Sequence, residues 1–184
     1  MHTQTRAFRI ANEEEMEDFG ATLSTTVIAR DVIGLIGPLG VGKSVLARSL
    51  IRALVGRPVS TQSSKAAATL SVPSPTFTLL ETYDTTLGQL SHLDLYRLPT
   101  TDGQIKPADA HQLGLEDAMM RGPVLIEWAD RALDLLPAET ILIAIAPDSH
   151  DAPADATERQ ITIAAPRGWF DRPQTATLLP YEAP

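Results

Sequence analysis

Residues 37–44 read GPLGVGKS, and this stretch decides the fold. It matches the pattern G-x-x-x-x-G-K-[ST], in which glycines let the backbone turn with its N–H groups directed at phosphate oxygens. The stretch follows the apolar run VIGLI at 32–36 and precedes apolar residues at helical spacing within 45–54. A strand leading through such a loop into a helix is the setting that this pattern requires, because the helix N-terminus presents unpaired N–H groups. The sequence therefore predicts a phosphate-binding loop.

Each part of this loop has a predicted role. We expect Lys43 to reach the β- and γ-phosphates of a nucleotide and the Ser44 hydroxyl to bind Mg²⁺. Pro38 has no backbone N–H, so the loop lacks one potential phosphate donor at that position. The nucleotide-binding residues predicted from the loop are Leu39, Gly40, Val41, Gly42, Lys43, Ser44 and Val45.

Two carboxylates are expected beside the loop. Glu127 ends the apolar run Val124-Leu125-Ile126, and Asp94 ends a more alternating stretch. Open α/β sheets bind ligands at the carboxyl ends of their strands, so both side chains should lie near the phosphates. We predict that Glu127 holds the metal and that Asp94 orients the attacking water as a catalytic residue together with Lys43. The reverse assignment of the two carboxylates stays open.

Four further side chains are weaker candidates. Thr76 either offers its hydroxyl to the γ-phosphate or metal or is an ordinary residue at the start of a strand. His92 shares a strand face with Asp94 and is predicted to orient it. Arg97 either contacts phosphate or pairs with an acid, and Trp128 either walls the nucleotide site or fills the core.

Composition limits the function classes. The chain has 184 residues, no cysteine and a formal net charge of −8. The absence of cysteine excludes a disulfide framework and a thiol nucleophile. The excess of carboxylates argues against a protein that grips a nucleic-acid backbone by itself, because such binding neutralises phosphates. No apolar run approaches the roughly 20 residues that span a bilayer, and residues 1–11 lack an export signal, so we expect a cytoplasmic protein.

The order of the elements predicts an α/β fold, a P-loop NTPase-like three-layer sandwich with a mixed, mainly parallel central sheet and a C-terminal β-hairpin. Buried strands are expected at 32–36 and 124–127, further strands at 76–83 and 90–94, and the closing hairpin at 141–146 and 159–164. We expect a long loop at 57–75 and weak order at 100–111. Residues 1–172 should form one domain, followed by a loose tail at 173–184.

Four blocks in this order resemble a known family. They are the loop at 37–44, Ser74-Pro75-Thr76-Phe77-Thr78, His92-Leu93-Asp94-Leu95-Tyr96-Arg97, and Glu127-Trp128. Together they resemble the bacterial ATPase family, called TsaE or YjeE, that is required for threonylcarbamoyladenosine modification of tRNA.

The resemblance implies a small ATPase that binds ATP and Mg²⁺ and hydrolyses ATP weakly alone. It implies that the protein acts with the subunits that transfer the threonylcarbamoyl group to adenosine 37 of tRNA, and that it resets their complex. It matches Lys43 and Ser44 to the phosphate and magnesium residues, Glu127 to a metal-site acid, and Asp94 to an acid needed for hydrolysis. Glu13 falls near the expected base or ribose. The implied contact with tRNA is indirect, with no DNA and no membrane.

Two other functions use the same loop. A small-molecule or nucleoside kinase needs an acceptor site with a base and an Arg-rich lid, for which the chain offers only Arg121, Arg131 and the segment 57–72. A nucleotide-binding regulatory module without turnover would tolerate loss of Asp94.

Overall fold

The computed structural model describes residues 3–57, 71–75, 78–112, 114–148 and 157–183. The strands are β1 (Thr3–Ile10), β2 (Val32–Ile36), β3 (Leu80–Thr85), β4 (Gly88–Asp94), β5 (Thr100–Thr101), β6 (Gln104–Ile105), β7 (Val124–Glu127), β8 (Ile141–Pro147) and β9 (Arg159–Pro166). The α-helices are α1 (Glu13–Ser24), α2 (Lys43–Val55), α3 (Pro107–Gln112) and α4 (Leu115–Arg121). Short 3₁₀ helices cover Ala129–Arg131, Leu133–Leu135 and Pro173–Tyr181. None of the helices in the described ranges has the length and apolar character to cross a bilayer.

The large sheet is mixed and has the strand order β1-β9-β8-β2-β7-β4-β3. Its four central strands β8, β2, β7 and β4 run parallel to one another. The edge strands pair antiparallel, β3 with β4 on one side and β9 with both β8 and β1 on the other. The predicted fold class, including the closing hairpin β8–β9, is confirmed. The parallel centre aligns the carboxyl ends of β2, β4 and β7 along one edge of the sheet.

Strand β7 shows why the molecule has three layers. All four of its residues are buried, as expected for a strand covered on both faces. Leu125 belongs to the apolar cluster that includes α1 and α2, whereas Val124 and Ile126 belong to a second cluster with α4. Since side chains alternate along a strand, these two clusters lie on opposite faces of the sheet.

Helix α1 begins with a cap formed by Asn12 and Glu15. Glu15 donates its backbone N–H to Asn12 Oδ1 at 2.9 Å, and Ala11 donates its own to Glu15 Oε2 at 2.5 Å. This reciprocal cap satisfies two backbone donors and fixes the first turn of the helix. Gly20 lets α1 approach α2 closely, because a Cβ there would lie 2.9 Å from the Ser49 Cβ.

The segment expected to be weakly ordered contains a small hairpin. Strands β5 and β6 pair around Asp102 and Gly103, whose φ angles are +53° and +81°. An Asp-Gly pair is a strong signal for a two-residue hairpin turn. The strands on either side are only two residues long and mostly polar, so they lack the alternating apolar pattern that predicts a hairpin. Helix α3 then occupies the end of the same segment.

Residues 173–183 pack against the main core, where the sequence predicts a loose tail. Arg172 forms a two-pronged ion pair with Asp31, with N···O distances of 2.6 and 3.0 Å, at the start of the 3₁₀ helix Pro173–Tyr181. Leu178 is buried in the main core, and the Tyr181 ring lies 5.2 Å from the Phe19 ring. The apolar residues of this 3₁₀ helix follow no α-helical period, so no local pattern predicts that the segment packs on the core.

Candidate functional site

The loop at 37–44 lies at the carboxyl edge of the parallel strands, between β2 and α2. Gly37 has a φ of +146°, and a Cβ at this position would lie 2.3 Å from the carbonyl oxygen of Ile145. Only glycine therefore lets the loop leave β2 directly against β8. Gly42, at φ +113°, turns the chain into α2, which begins at Lys43. The helix N-terminus consequently faces the concave side of the loop.

Lys43 is buried inside its own loop. Its Nζ donates hydrogen bonds to the carbonyl oxygens of Gly37 at 2.7 Å and Pro38 at 2.8 Å. The same ammonium lies 3.7 Å from the centre of the Trp128 ring, within cation–π distance. Burial lowers the pKa of Lys43, and the nearby carboxylates, Glu127 foremost, partly offset this by favouring the charged form. Lys43 thus lies on the concave side of the loop and lines the cleft beside Glu127.

The two predicted carboxylates are neighbours. Asp94 on β4 is directly opposite Glu127 on β7 in the parallel register, and both are buried. Ser44 Oγ donates a hydrogen bond of 2.7 Å to Glu127 Oε2, which joins the start of α2 to the end of β7. Asp94 Oδ1 instead accepts the backbone N–H of Tyr96 at 2.9 Å. The structure therefore brings both acids to the edge of the loop in different surroundings.

A cleft of about 270 Å³ opens where these groups meet. Its lining combines the loop, the start of α2, and the ends of β4 and β7. The lining residues are Leu39, Gly40, Gly42, Lys43, Ser44, Val45, Asp94, Tyr96, Glu127 and Trp128. Most residues that the sequence singled out for phosphate and metal contact therefore surround one concave site.

The prediction that His92 orients Asp94 is wrong. His92 Nε2 lies 3.0 Å from Glu127 Oε1, and both side chains are 1% exposed. His92 and Asp94 do share a face of β4, but the imidazole reaches diagonally to the next strand instead of along its own. Sequence reasoning had no access to this contact, because it depends on the pairing of two strands about thirty residues apart in the chain.

Aromatic rings form the outer wall of the cleft. Trp128 has a φ of +60°, unusual for a bulky residue, and this turns its ring over the loop. The Tyr96 ring lies 4.9 Å from the Trp128 ring. Arg131 supports this wall by donating to the backbone carbonyls of Tyr96 and Leu98. The sequence singles out Trp128, whereas the place of Arg131 behind this wall follows only from the fold.

A second, smaller cavity of about 130 Å³ adjoins the other side of the loop. Glu13 lies here with Asn12 and Met16 of the α1 region, beside Gly40 and Val41. Arg159, at the start of β9, donates to the Val41 carbonyl oxygen at 3.1 Å and completes the wall. No motif surrounds Arg159 in the sequence, so its place at the site emerged only from the fold.

The donor set fits a magnesium ion bound together with a nucleotide. The Ser44 hydroxyl and the Glu127 carboxylate would supply oxygen ligands, which Mg²⁺ prefers. Among the described residues, no group of three or more His, Cys, Asp or Glu side chains could hold a metal. A site with few protein ligands is typical of Mg²⁺ that shares its coordination with water and phosphate oxygens.

Two of the weaker candidates are not among the residues that line the described site. Thr76 lies outside the described residues, as does most of the predicted loop at 57–75. Arg97 is exposed, and its contact with phosphate stays a prediction.

Comparison with known proteins identifies the family. A model of the TsaE family, described as threonylcarbamoyl adenosine biosynthesis protein TsaE, matches residues 10–161. The tRNA threonylcarbamoyladenosine biosynthesis protein TsaE of Rickettsia bellii is 35% identical over 130 residues, 71% of this chain and 78% of that protein. The protein of the same name from Bacillus subtilis is 28% identical over 159 residues, 86% of this chain and 84% of its own length.

A solved structure shows the same fold. The crystal structure of Bacillus subtilis YdiB superposes with a TM-score of 0.61 at 23% sequence identity, covering 98% of this chain and 97% of that one. The family match runs from the end of β1 into β9 and includes the loop, both carboxylates and Trp128. This chain therefore belongs to the TsaE family.

Proposed function

We propose that this protein is an ATPase that binds ATP with Mg²⁺ and acts with partner subunits in threonylcarbamoyladenosine modification of adenosine 37 of tRNA. One observation carries the nucleotide part of the proposal: Lys43, Ser44 and Glu127 converge on the cleft at the concave side of the loop. The names of the matched relatives support the tRNA-modification part.

Each residue of the site has a separate role in the proposed hydrolysis of ATP. The loop amides and Lys43 bind and orient the β- and γ-phosphates, with Lys43 leaving the carbonyls of Gly37 and Pro38 to do so. Ser44 and Glu127 hold the metal, which when bound neutralises charge on the phosphate oxygens. Asp94, at the γ-phosphate end of the cleft, orients the attacking water and accepts its proton. Thr76 is expected to approach the same phosphate.

The second cavity suits the other end of the nucleotide. Glu13 and Asn12 offer polar groups beside Met16 and Val45, a mixture that suits a ribose and a base. Arg159 braces the loop between this cavity and the phosphates. We therefore assign Glu13 to the ribose or base.

Charge argues that contact with tRNA is made through the other subunits of the threonylcarbamoyl-transfer complex. The net charge of −8 opposes binding to a bare phosphate backbone. We place the protein in the cytoplasm, where those subunits and tRNA meet, with no role for DNA or a membrane.

The test follows labelled ATP with the protein alone and with the tRNA-modifying subunits. We expect slow release of phosphate to water by the protein alone and faster release with the subunits. Lys43→Ala should weaken ATP binding by about a hundredfold, since it removes a charge-assisted contact worth about 3 kcal/mol. Lys106→Ala, at an exposed lysine, is the matched control.

Each alternative outcome has a meaning. Transfer of phosphate to a nucleoside or metabolite would identify a kinase. Binding without turnover in both conditions would identify a regulatory module. An unchanged ATP affinity in Lys43→Ala would remove the basis of the proposal.

A further inference from the structure

We propose that His92 is a positioning residue that fixes the Glu127 carboxylate for metal binding. The inference rests on the proposed function, because it assigns a consequence to the metal site at Ser44 and Glu127. It begins from burial: His92 and Glu127 are almost fully withdrawn from solvent and lie on adjacent parallel strands. A buried carboxylate needs donors on its oxygens, and here each oxygen has one.

The two donors act on different oxygens of Glu127. His92 Nε2 is 3.0 Å from Oε1, while Ser44 Oγ donates to Oε2 at 2.7 Å. The terminal torsion of a glutamate is broad, so one hydrogen bond leaves the plane of the carboxylate poorly defined. The second donor fixes that plane and keeps Oε2 directed at Ser44, where the metal is expected.

The proton of the imidazole can be assigned from its contacts. Nε2 faces a carboxylate oxygen, which only accepts, so Nε2 must carry hydrogen and donate. Nδ1 is buried and has no hydrogen-bond partner among the described residues. A proton on Nδ1 would be a buried donor without an acceptor, which is costly. The contact with Glu127 therefore assigns a proton to Nε2.

The strand register explains why a long side chain is needed at this position. His92 pairs with Leu125, two pairs before Asp94 pairs with Glu127, so His92, Asp94 and Glu127 all lie on the sheet face that α2 covers. Asp94 stands directly opposite Glu127, whereas His92 must reach diagonally along the sheet. The imidazole spans that distance behind the cleft without entering it.

Two amide substitutions test the position of the donor. The Nε2 of Gln lies the same number of bonds from Cβ as the imidazole Nε2, whereas the Nδ2 of Asn corresponds to Nδ1. We expect His92→Asn to raise the Mg²⁺ concentration needed for tight ATP binding by about 10- to 100-fold. His92→Gln should stay within about threefold of the unsubstituted protein, since it restores the donor.

Calorimetric titration with ATP at graded Mg²⁺ gives this readout without relying on turnover. Thermal melting without Mg²⁺ reports structural damage separately, and His111→Asn, at an exposed histidine, is the matched control. If His92→Asn keeps the original Mg²⁺ dependence, or if Gln and Asn shift it equally, the inference is overturned.

A measurement on the unsubstituted, metal-free protein covers the case in which His92→Asn fails to fold. Nitrogen NMR should find the His92 proton on Nε2, and a proton on Nδ1 with a bare Nε2 would overturn the inference. Failure of the proposed function looks different: the unsubstituted protein itself would then show no Mg²⁺-dependent ATP binding, and both proposals would fall.

Discussion

At the scale of single residues, Asp94 and Glu127 are adjacent acids with different contacts. Glu127 accepts hydrogen bonds from Ser44 and His92 and is held on both of its oxygens. Asp94 accepts the backbone N–H of Tyr96 at 2.9 Å and the Ser74 hydroxyl at 3.5 Å, and it lines the same cleft. A carboxylate hydrogen-bonded to the serine of the phosphate-binding loop suits a metal ligand, and the neighbouring carboxylate in the same cleft suits contact with water. The contacts thus favour the assignment with Glu127 on the metal.

Paired amide substitutions separate these roles. Glu127→Gln should weaken Mg²⁺-dependent ATP binding by at least about tenfold, because it removes the charge of the metal ligand. Asp94→Asn should leave ATP affinity nearly unchanged and lower partner-stimulated turnover by about 10²- to 10⁴-fold, the usual contribution of a positioned base. Equilibrium binding and single-turnover hydrolysis measure the two effects. The opposite pattern would exchange the assignments.

At the scale of elements, the β3–β4 hairpin is pinned to the end of α4. Gly88 begins β4 with a φ of +104°, and a Cβ on it would lie 2.4 Å from the carbonyl oxygen of Arg121. This close backbone contact sets where β4 begins, and therefore which of its residues pair with β7. The placement of His92 and Asp94 depends on it.

Two glycine substitutions test the contact. Gly88→Ala should lower the free energy of unfolding by about 2–4 kcal/mol, because it adds a backbone clash to an unfavourable φ. Gly103→Ala is the matched control: Gly103 has a φ of +81°, but nothing lies within 4 Å of its would-be Cβ. It should cost only about 1–2 kcal/mol. Urea unfolding measures both, and equal losses would show that the contact with Arg121 adds nothing.

Local patterns were enough to predict most elements and the loop, because the signals for each lie within a few residues. The buried run before Glu127 and the closing hairpin belong to this class. Contacts between distant segments could not be predicted from the sequence. Examples are the hydrogen bond between His92 and Glu127 and the one from Arg159 to the Val41 carbonyl. Side chains from distant segments meet only after the sheet has assembled, and no spacing in the sequence encodes that meeting.

At the scale of the whole molecule, the last described segment seals the main core. The 3₁₀ helix Pro173–Tyr181 packs on α1 and β1, and Ala183 donates its backbone N–H to the Ala7 carbonyl at 2.8 Å. This segment lies beyond residues 10–161, the range that matches the family model. It nevertheless covers Phe19, and through α1 it supports the wall of the smaller cavity.

Adjacent leucines in this helix allow a direct test. Leu178 is 2% exposed and Leu179 is 52% exposed. Leu178→Ala should cost about 2–5 kcal/mol of unfolding free energy, as for other buried leucines. Leu179→Ala should change it by no more than about 0.5 kcal/mol. Thermal or urea unfolding compares them, and similar values would mean that the helix is not part of the folded core.

The overall charge gives a prediction for the isolated protein. At a net charge of −8, it should bind bare tRNA only weakly, with no steep dependence on salt concentration. Filter binding or fluorescence anisotropy at several ionic strengths would measure this. Tight binding that falls sharply with added salt would instead reveal a local basic surface that overrides the total charge.

The contacts of Lys43 have a consequence for energetics. Two carbonyl oxygens and an aromatic ring hold its ammonium, so a triphosphate must compete with these partners for the same cation. The net gain on association is the difference between the old and new partners, which is smaller than the full attraction. The same contacts brace the loop from within, so less ordering of the backbone accompanies nucleotide binding.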